Sequence, residues 1–327
     1  MRAIDMHSHY YGGLVDDLLK RDRRPFVSRN AAGRLVLNAM TASTEMSDGY
    51  TDIPARLAWM DRNRIATQLM TFPGALGVDV MPAAEIAPAI LSYNDHLAGL
   101  CAGSGGRFAG LAGLPLDDMS QAAAEMRRIR HDLRLPGVIL PGNYFLSIEA
   151  VRRLAPVFDA AAETGALVMI HPGLMPGEAP PEPYPDTSVY RASVLNLQAS
   201  LAQMGMTVLA GKLAEAWPSI TFHLVNLGGT LPFVLERLEA VALSRPPHEP
   251  FPRESLRGMV YDCASLGPRA LELAVRTFGA DRIMLGTDYP IFTPDQVADT
   301  VEVAELTDAE KDMILAGTAS RILDRLR

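Results

Sequence analysis

Two histidines lie one residue apart near the start of the chain, at His7 and His9, in a protein with only seven histidines. Residues i and i+2 of a β-strand point to the same side, so a strand here would direct both imidazoles into one space. Two protonated imidazoles would repel each other there, and two buried neutral rings would need hydrogen-bond partners. Because imidazole is a common metal ligand, the spacing indicates part of a metal site.

More polar residues follow short apolar runs later in the chain and are candidates for the same site. They are His171, Asn226, Asp262 and Asp288. The chemistry of a β/α barrel sits at the carboxyl ends of its strands, where such residues would meet. Three imidazoles and the Asp288 carboxylate suit one divalent ion, Zn²⁺ first and Mn²⁺ as an alternative, with a position left for water. Water bound to such an ion loses a proton near neutral pH.

Short apolar runs alternate along the chain with segments of helical periodicity. They predict eight strands, at residues 3–6, 66–71, 108–114, 137–140, 167–170, 220–225, 259–261 and 283–285. Helix N-caps are predicted at Asp52, Ser120 and Ser147. Nearly continuous apolar runs are typical of parallel strands covered by helices, so we predict a single (β/α)8 TIM barrel over residues 1–327. A doubly wound open sheet is the alternative, but the first strand is not followed by Gly-x-Gly-x-x-Gly.

Two segments interrupt this alternation. Residues 10–51 separate the first strand from the first helix. Within them, residues 24–28 and 34–38 flank a turn-rich segment, which predicts a small β-hairpin inserted after strand one. Residues 172–186 follow strand five and are rich in proline. They form either a lid over the barrel mouth or a plain surface excursion.

The composition limits the partners of the chain. Of its 327 residues, 48% are hydrophobic and 21% are charged, which is enough for a large core. The net charge of −8 argues against a nucleic-acid partner, and no basic block or long apolar run predicts contact with a membrane. Cys101 and Cys263 are far apart, as is typical of a reducing compartment. We therefore predict a soluble, cytoplasmic protein with no nucleic-acid or membrane partner.

Several motifs resemble those of the amidohydrolase superfamily, in the branch typified by aminocarboxymuconate-semialdehyde decarboxylase. The motifs are Asp5–His9, Asn94-Asp95, Arg107–Pro115, Ile170–Pro172, Asn226–Pro232 with Glu236-Arg237, and Leu285–Pro290. The resemblance implies that four side chains hold one catalytic metal ion: His7, His9, His171 and Asp288. It also suggests a homodimer. Superfamily members with two metals bridge them with a carbamylated lysine after strand four, whereas here no lysine ends any predicted strand.

The chain departs from this family after strand six. Where the family has a histidine that acts as general acid or base, this sequence has Asn226, whose amide cannot carry a proton at neutral pH. A general acid–base step is typically worth about 10²–10⁴ in rate. His223 lies an odd number of residues upstream, which predicts that it faces the helices unless a bulge turns it into the site. Asp262 either handles a proton or orients the loop or a metal-bound water, and Asp288 can both bind the metal and take a proton.

The resemblance favours non-oxidative decarboxylation of a small carboxylated unsaturated or aromatic substrate, with the ion stabilising an anionic intermediate. Hydrolysis of an amide, lactone or C–C bond by a metal-activated hydroxide is the first alternative. It depends less on the missing histidine, because Asp288 can take the proton. The second alternative is a metal-containing barrel without catalytic activity. The resemblance also calls for an arginine after the hairpin that clamps a carboxylate, and residues 38–45 contain none.

Overall fold

Eight parallel strands form one sheet whose order follows the chain. The computed structural model describes residues 3–40, 42–180, 190–264, 266–292 and 295–327. Barrel strands one to eight are Ala3–His9, Ile65–Thr71, Phe108–Ala112, Gly137–Pro141, Ala166–His171, Ile220–Leu224, Met259–Asp262 and Ile283–Met284. Strand one closes on the end of strand eight, since Met6 N–H donates to the Leu285 carbonyl and Asp288 N–H to the His7 carbonyl, both at 2.8 Å. The predicted (β/α)8 barrel is confirmed.

Helices connect the strands and pack against the barrel. The α-helices α1 to α13 are Val15–Leu18, Ile53–Arg62, Ala83–Gly103, Met119–His131, Ile148–Arg152, Ala155–Ala162, Leu197–Ala210, Leu213–Ala216, Leu231–Ser244, Pro268–Phe278, Asp295–Val303, Asp308–Asp312 and Thr318–Leu326. Asp52 and Ser147 cap α2 and α5 as predicted. Helix α4 is capped by Asp118 rather than by Ser120, because the Asp118 carboxylate accepts from two backbone N–H groups of the first turn. Within the described residues, no helix has both the length and the apolar character needed to cross a bilayer.

The insertion between strand one and helix α2 contains a three-stranded antiparallel sheet. Its strands are Phe26–Arg29, Leu35–Asn38 and Ser43–Glu45. Asn30 Oδ1 accepts from the backbone N–H groups of Ala32 and Arg34, and Gly33 has φ 78°, which favours glycine. The predicted hairpin is therefore present, and a third strand that the sequence did not indicate pairs with its second strand.

The proline-rich loop after strand five is described up to residue 180. Its first part is tied to the loop after strand four, because Asn143 Nδ2 donates to both carboxylate oxygens of Glu178 at 2.9 Å. Glu178 Oε2 also accepts from the Met175 N–H at 2.8 Å. The remainder of the predicted lid, residues 181–186, lies outside the described residues, so the lid stays a prediction.

A buried acid lies in the loop between strand two and helix α3. Asp79 is inaccessible to solvent, and neither of its carboxylate oxygens has a hydrogen-bond partner in the described part of the chain. Burial raises the pKa of Asp79 to about 8, because the charged form loses its hydration. The folded protein therefore keeps this acid largely neutral at pH values near 7.

We expect Asp79→Asn to remove a pH-dependent cost of folding. The folded protein binds more protons than the unfolded chain between the ordinary Asp79 pKa of 3.8 and its folded value of about 8. In that window, this group lowers the free energy of unfolding by about 1.4 kcal/mol for each unit that the pH rises. Urea unfolding at about pH 5 and about pH 8 measures the change. The fall in stability should be smaller for Asp79→Asn than for the natural chain or for the exposed control Asp132→Asn, and an equal fall in all three contradicts this account.

Candidate metal centre

His7 and His9 end strand one, and both side chains are buried. Between Asp5 and Ser8 the pairing with strand two shifts, because strand one carries one more residue than its neighbour. Such a bulge bends a strand and re-aims its side chains, and bulges are common beside active sites. The two imidazole rings still meet, with their centroids 5.3 Å apart.

His171 and Asp288 bring two more donors to the same place. His171 is the last residue of strand five, and its ring centroid lies 5.3 Å from that of His7 and 4.9 Å from that of His9. Asp288 follows strand eight with φ 55°, and its Oδ1 lies 3.0 Å from His9 Nε2. One potential ligand atom from each of the four residues lies within 4.8 Å of the others. The structure therefore brings together all four residues that the sequence selects as metal ligands.

A contact at Nδ1 orients each of the three imidazoles. The partners of His7, His9 and His171 are, in that order, the Asp262 carboxylate at 3.1 Å, the Thr71 hydroxyl at 2.9 Å and the Pro172 carbonyl at 3.1 Å. An Nδ1 proton donated in this way leaves the Nε2 lone pair free for a metal. His7 Nε2 is buried, lies 3.6 Å from Asp288 Oδ1, and has no hydrogen-bond partner among the described residues. The donor set thus fits one divalent metal ion, which would satisfy this nitrogen.

The charges around this centre favour a cation. Burial by itself lowers the pKa of His7, but Asp262 and Asp288 raise it to about 9. Burial and repulsion from the other two rings lower the pKa of His171 to about 3, and burial also lowers the pKa of His9. Burial raises the pKa of Asp262 and of Asp288, but the charge of His7 helps to bring both below their ordinary value. Two carboxylates therefore favour positive charge at His7, and a divalent ion would replace the His7 proton at Nε2 and neutralise the negative charge that remains.

Asp262 ends strand seven and is completely buried. Its Oδ2 lies 3.1 Å from His7 Nδ1 and 2.8 Å from His223 Nε2. Its Oδ1 accepts from the backbone N–H groups of Asn226, at 3.2 Å, and Ala264, at 2.9 Å. Because the protein itself engages both oxygens, the geometry favours the orienting role of Asp262 over the proton-handling role that the sequence left equally open.

His223 faces the barrel interior, so the predicted orientation toward the helices is wrong. It pairs with Met169, which precedes the inward-facing His171 by two residues and so shares its side of the sheet. The prediction counted alternation between His223 and Asn226, but the strand ends before Asn226, which has φ 52° in a following turn. Alternation does not extend through such a turn. His223 contacts the centre through Asp262.

Asn226 is buried in this turn, at the position where the resemblance implies a histidine. Its main chain takes part in the centre, since its N–H donates to Asp262 Oδ1. A left-handed φ is tolerated by asparagine better than by most residues, and Gly228 and Gly229 continue the turn with φ 69° and 63°. A β-carbon on Gly229 would lie 2.0 Å from the Gln198 carbonyl oxygen, so the turn packs directly on helix α7.

The sequence interpretation missed the role of Asp5, a buried acid on strand one that precedes the ligand His7 by two residues. Asp5 accepts hydrogen bonds from Gln68 Nε2, at 2.7 Å, and from the Thr287 hydroxyl, at 2.6 Å. It also accepts from the backbone N–H groups of Thr287, at 3.0 Å, and His7, at 3.1 Å. These bonds tie strands one and two to the segment after strand eight. Its position two residues before His7 was the available signal, because it suggests a side chain on the same side of the strand.

Helix α2 inserts Arg56 beside the same strands, and its side chain is fully buried. The guanidinium donates to four oxygens: Ser8 Oγ, Gln68 Oε1 and the carbonyls of His9 and Gly49. Burial lowers the pKa of Arg56 to about 10, so the group still carries its charge at neutral pH. Arg56 therefore holds the backbone at the end of strand one. No local pattern indicated this role, since an arginine in an amphipathic helix is usually at the surface.

Comparisons with known proteins find a matching family, similar sequences and similar structures. A family model described as Amidohydrolase matches residues 4–325. The 2-amino-3-carboxymuconate-6-semialdehyde decarboxylase of Dictyostelium discoideum is 25% identical over 291 residues, covering 85% of this chain and 78% of that protein. The gamma-resorcylate decarboxylase of Rhizobium radiobacter is 25% identical, covering 82% of this chain and 85% of its own. A structure of dihydroxybenzoic acid decarboxylase from Polaromonas sp. JS666, with bound manganese and an inhibitor, has a TM-score of 0.75 at 19% identity and covers 99% of this chain and 97% of that chain.

Asp262→Asn tests the orienting role. The amide keeps the shape of the side chain but loses the charge that holds His7 and His223. We expect the affinity for Zn²⁺ or Mn²⁺ to fall about 10–100-fold, which is typical when a metal-bound histidine loses its outer partner. Competition with a chromophoric chelator measures this affinity, and the exposed change Asp61→Asn is the matched control. An unchanged affinity in Asp262→Asn would show that Asp262 does not orient the ligands.

Proposed function

Because the chain belongs to the amidohydrolase family, we propose that it is a metal-dependent, non-oxidative decarboxylase of small carboxylated aromatic or unsaturated substrates. The observation that carries the proposal is the convergence of four donor side chains within 4.8 Å of one another: His7, His9, His171 and Asp288. The two relatives described above are named as decarboxylases and align with this chain over most of their length. They support decarboxylation over the hydrolytic alternative.

Three imidazole nitrogens and one carboxylate oxygen would hold the ion. When bound, a divalent ion polarises the oxygen atoms of a substrate and stabilises the negative charge that develops as CO₂ departs. We propose Zn²⁺ first, because nitrogen donors outnumber oxygen donors in this set. Mn²⁺ is the alternative, supported by its presence in the related Polaromonas structure.

The reaction breaks the bond between an unsaturated carbon and its carboxylate. The electron pair stays on that carbon, CO₂ leaves, and a proton completes the product. We assign the proton transfer to Asp288, whose Oδ1 lies 3.0 Å from His9 Nε2 and whose Oδ2 takes part in no hydrogen bond within the described ranges. Its side chain is 11% exposed, so solvent reaches the carboxyl group, which can relay a proton from solvent to the substrate.

The neighbouring polar residues act by positioning. Asp262 holds the His7 ring and is itself held by His223. Asn226 can donate a hydrogen bond to a substrate oxygen, but its amide cannot supply a proton. The proton transfer that the family assigns to a histidine therefore falls to Asp288 in this chain.

The proposal predicts release of CO₂ without consumption of water. The metal-loaded protein is tested with gamma-resorcylate and with 2-amino-3-carboxymuconate 6-semialdehyde, the substrates in the names of its relatives. In D₂O, the product should carry one deuterium at the carbon that lost its carboxylate, because that carbon takes its proton from solvent. Mass spectrometry of the product and a CO₂ assay measure both results.

Variants connect this activity to the metal centre. His171→Ala removes one ligand and should abolish CO₂ release, whereas the exposed change His131→Ala should leave it unchanged. Uptake of water with no release of CO₂ would assign hydrolysis instead. No turnover of either substrate, or of further aromatic carboxylates, by protein that holds a full complement of metal would favour the non-catalytic barrel.

Asn226→His tests whether Asp288 supplies the proton. If it does, restoring the family's histidine should raise kcat by much less than the roughly 10²-fold that a missing general acid would cost. Steady-state kinetics measures the change, and Asn226→Gln keeps an amide while controlling for the altered size. A rise of about 10²-fold or more would identify residue 226 as the place of the missing acid.

Three further predictions rest on the sequence. They are a homodimer, a cytoplasmic location and a lid at residues 172–186. None of them is needed for the chemistry proposed above, because the four ligand side chains come from one chain.

A further inference from the structure

A cavity of about 370 Å³ lies at the end of the barrel opposite the metal ligands. Its wall is built from the first two residues of strand six, the residues on either side of the first residue of strand seven, the residue before strand eight, and helices α8 and α13. The lining includes three arginines, Arg282, Arg321 and Arg325. Ligand pockets of small molecules begin at about 300 Å³, so the cavity is large enough for one.

Positive charge in this cavity is not balanced by its own lining, which includes no carboxylate from the described part of the chain. The neighbouring Asp281 is shared, since it pairs with Arg257 at 2.9 Å and lies 3.4 Å from Arg282 Nε. Among the described ion pairs, none involves Arg321 or Arg325. An excess of positive charge at one place is notable in a chain whose net charge is −8.

The arginines also affect one another. Burial lowers the pKa of Arg282, and repulsion from Arg257 and Arg321 lowers it further against the attraction of Asp281. An anion in the cavity would relieve this repulsion, because a negative charge close to several guanidinium groups favours their charged form.

Hydrogen bonds hold the guanidinium groups at the cavity wall. Arg325 Nη2 donates to the Thr221 hydroxyl, and Arg321 Nη2 donates to the Asp281 carbonyl at 2.6 Å. A guanidinium presents a planar fork of donors that matches the oxygens of carboxylates and phosphates. The rest of the lining is mostly apolar: Ala214, Pro218, Ile220, Val260 and Ile322, with Gly258 and Thr221.

We propose that this cavity binds a small organic dianion, whose charged oxygens pair with Arg321 and Arg325 and whose apolar body packs on Val260 and Ile322. Dicarboxylates and phosphate monoesters share this chemistry. The site lies apart from the metal centre and does not depend on the decarboxylase proposal. Because its lining joins helix α13 to strands six and seven, a bound dianion stabilises the packing of α13 on the barrel against unfolding.

Calorimetric titration of the metal-loaded full chain at constant ionic strength tests this site. The probes are phthalate, phenyl phosphate, inorganic phosphate and the monoanion benzoate. Phthalate or phenyl phosphate should bind saturably and at least about tenfold more tightly than benzoate, because one charge-assisted contact is lost in the monoanion. The affinities for phthalate and phenyl phosphate, compared with each other, decide between a dicarboxylate and a phosphate monoester. The affinity for inorganic phosphate shows how much the apolar body of the ligand contributes.

Variants locate the binding. The double variant Arg321→Gln with Arg325→Gln should weaken dianion binding by about tenfold or more. The matched double variant Arg152→Gln with Arg245→Gln removes two exposed charges elsewhere and should bind as the natural chain does. His171→Ala should also retain binding, which separates this site from any binding at the metal centre.

Two results would overturn the proposal. One is the absence of saturable dianion binding to the natural chain, whatever the variants do. The other is equal affinity in the natural chain and the arginine double variant. If that double variant does not fold, the single change Arg321→Gln, at an exposed position, carries the same comparison.

Discussion

Three imidazole rings with centroids 4.9–5.3 Å apart share one space with a carboxylate, and a cation makes that arrangement favourable. Protonation of the three rings does not stabilise the cluster in this way. Burial and repulsion between the rings lower the pKa of His9 and His171, and only His7 among the three has a raised pKa. The mouth of the barrel is built around this requirement. Two of the ligand residues also help to close the sheet, since the Asp288 N–H donates to the His7 carbonyl.

Buried polar groups hold this arrangement in place. A polar side chain inside a barrel is costly unless its hydrogen bonds are made, and here the bonds join strands that are distant in the chain. Asp262 links strand seven to strands one and six, Asp5 links strand one to strand two and to the end of strand eight, and Arg56 brings in helix α2. Each network therefore contacts the end of strand one, where His7 and His9 lie, and the Asp5 network also reaches the closure between strands one and eight.

The strands and the four ligands could be predicted because their signals are local. An apolar run indicates a strand, and the polar residue that ends the run lies at the barrel mouth, as His171 does at the end of strand five. Other features depend on which residues become neighbours after folding. Asp5 and Arg56 find their partners on strand two and beyond, and neither partner is visible in the local pattern. The inward position of His223 was missed because a left-handed turn at Asn226 breaks the alternation used to count its face.

Crystallographic anomalous diffraction from protein loaded with Zn²⁺ or Mn²⁺ tests the central claim most directly. The account predicts a single strong peak at the barrel mouth, about 2.0–2.3 Å from each of its four protein donors. Those donors are Nε2 of His7, His9 and His171 and one carboxylate oxygen of Asp288. A peak elsewhere, two peaks at the mouth, or no peak in fully loaded protein would contradict it.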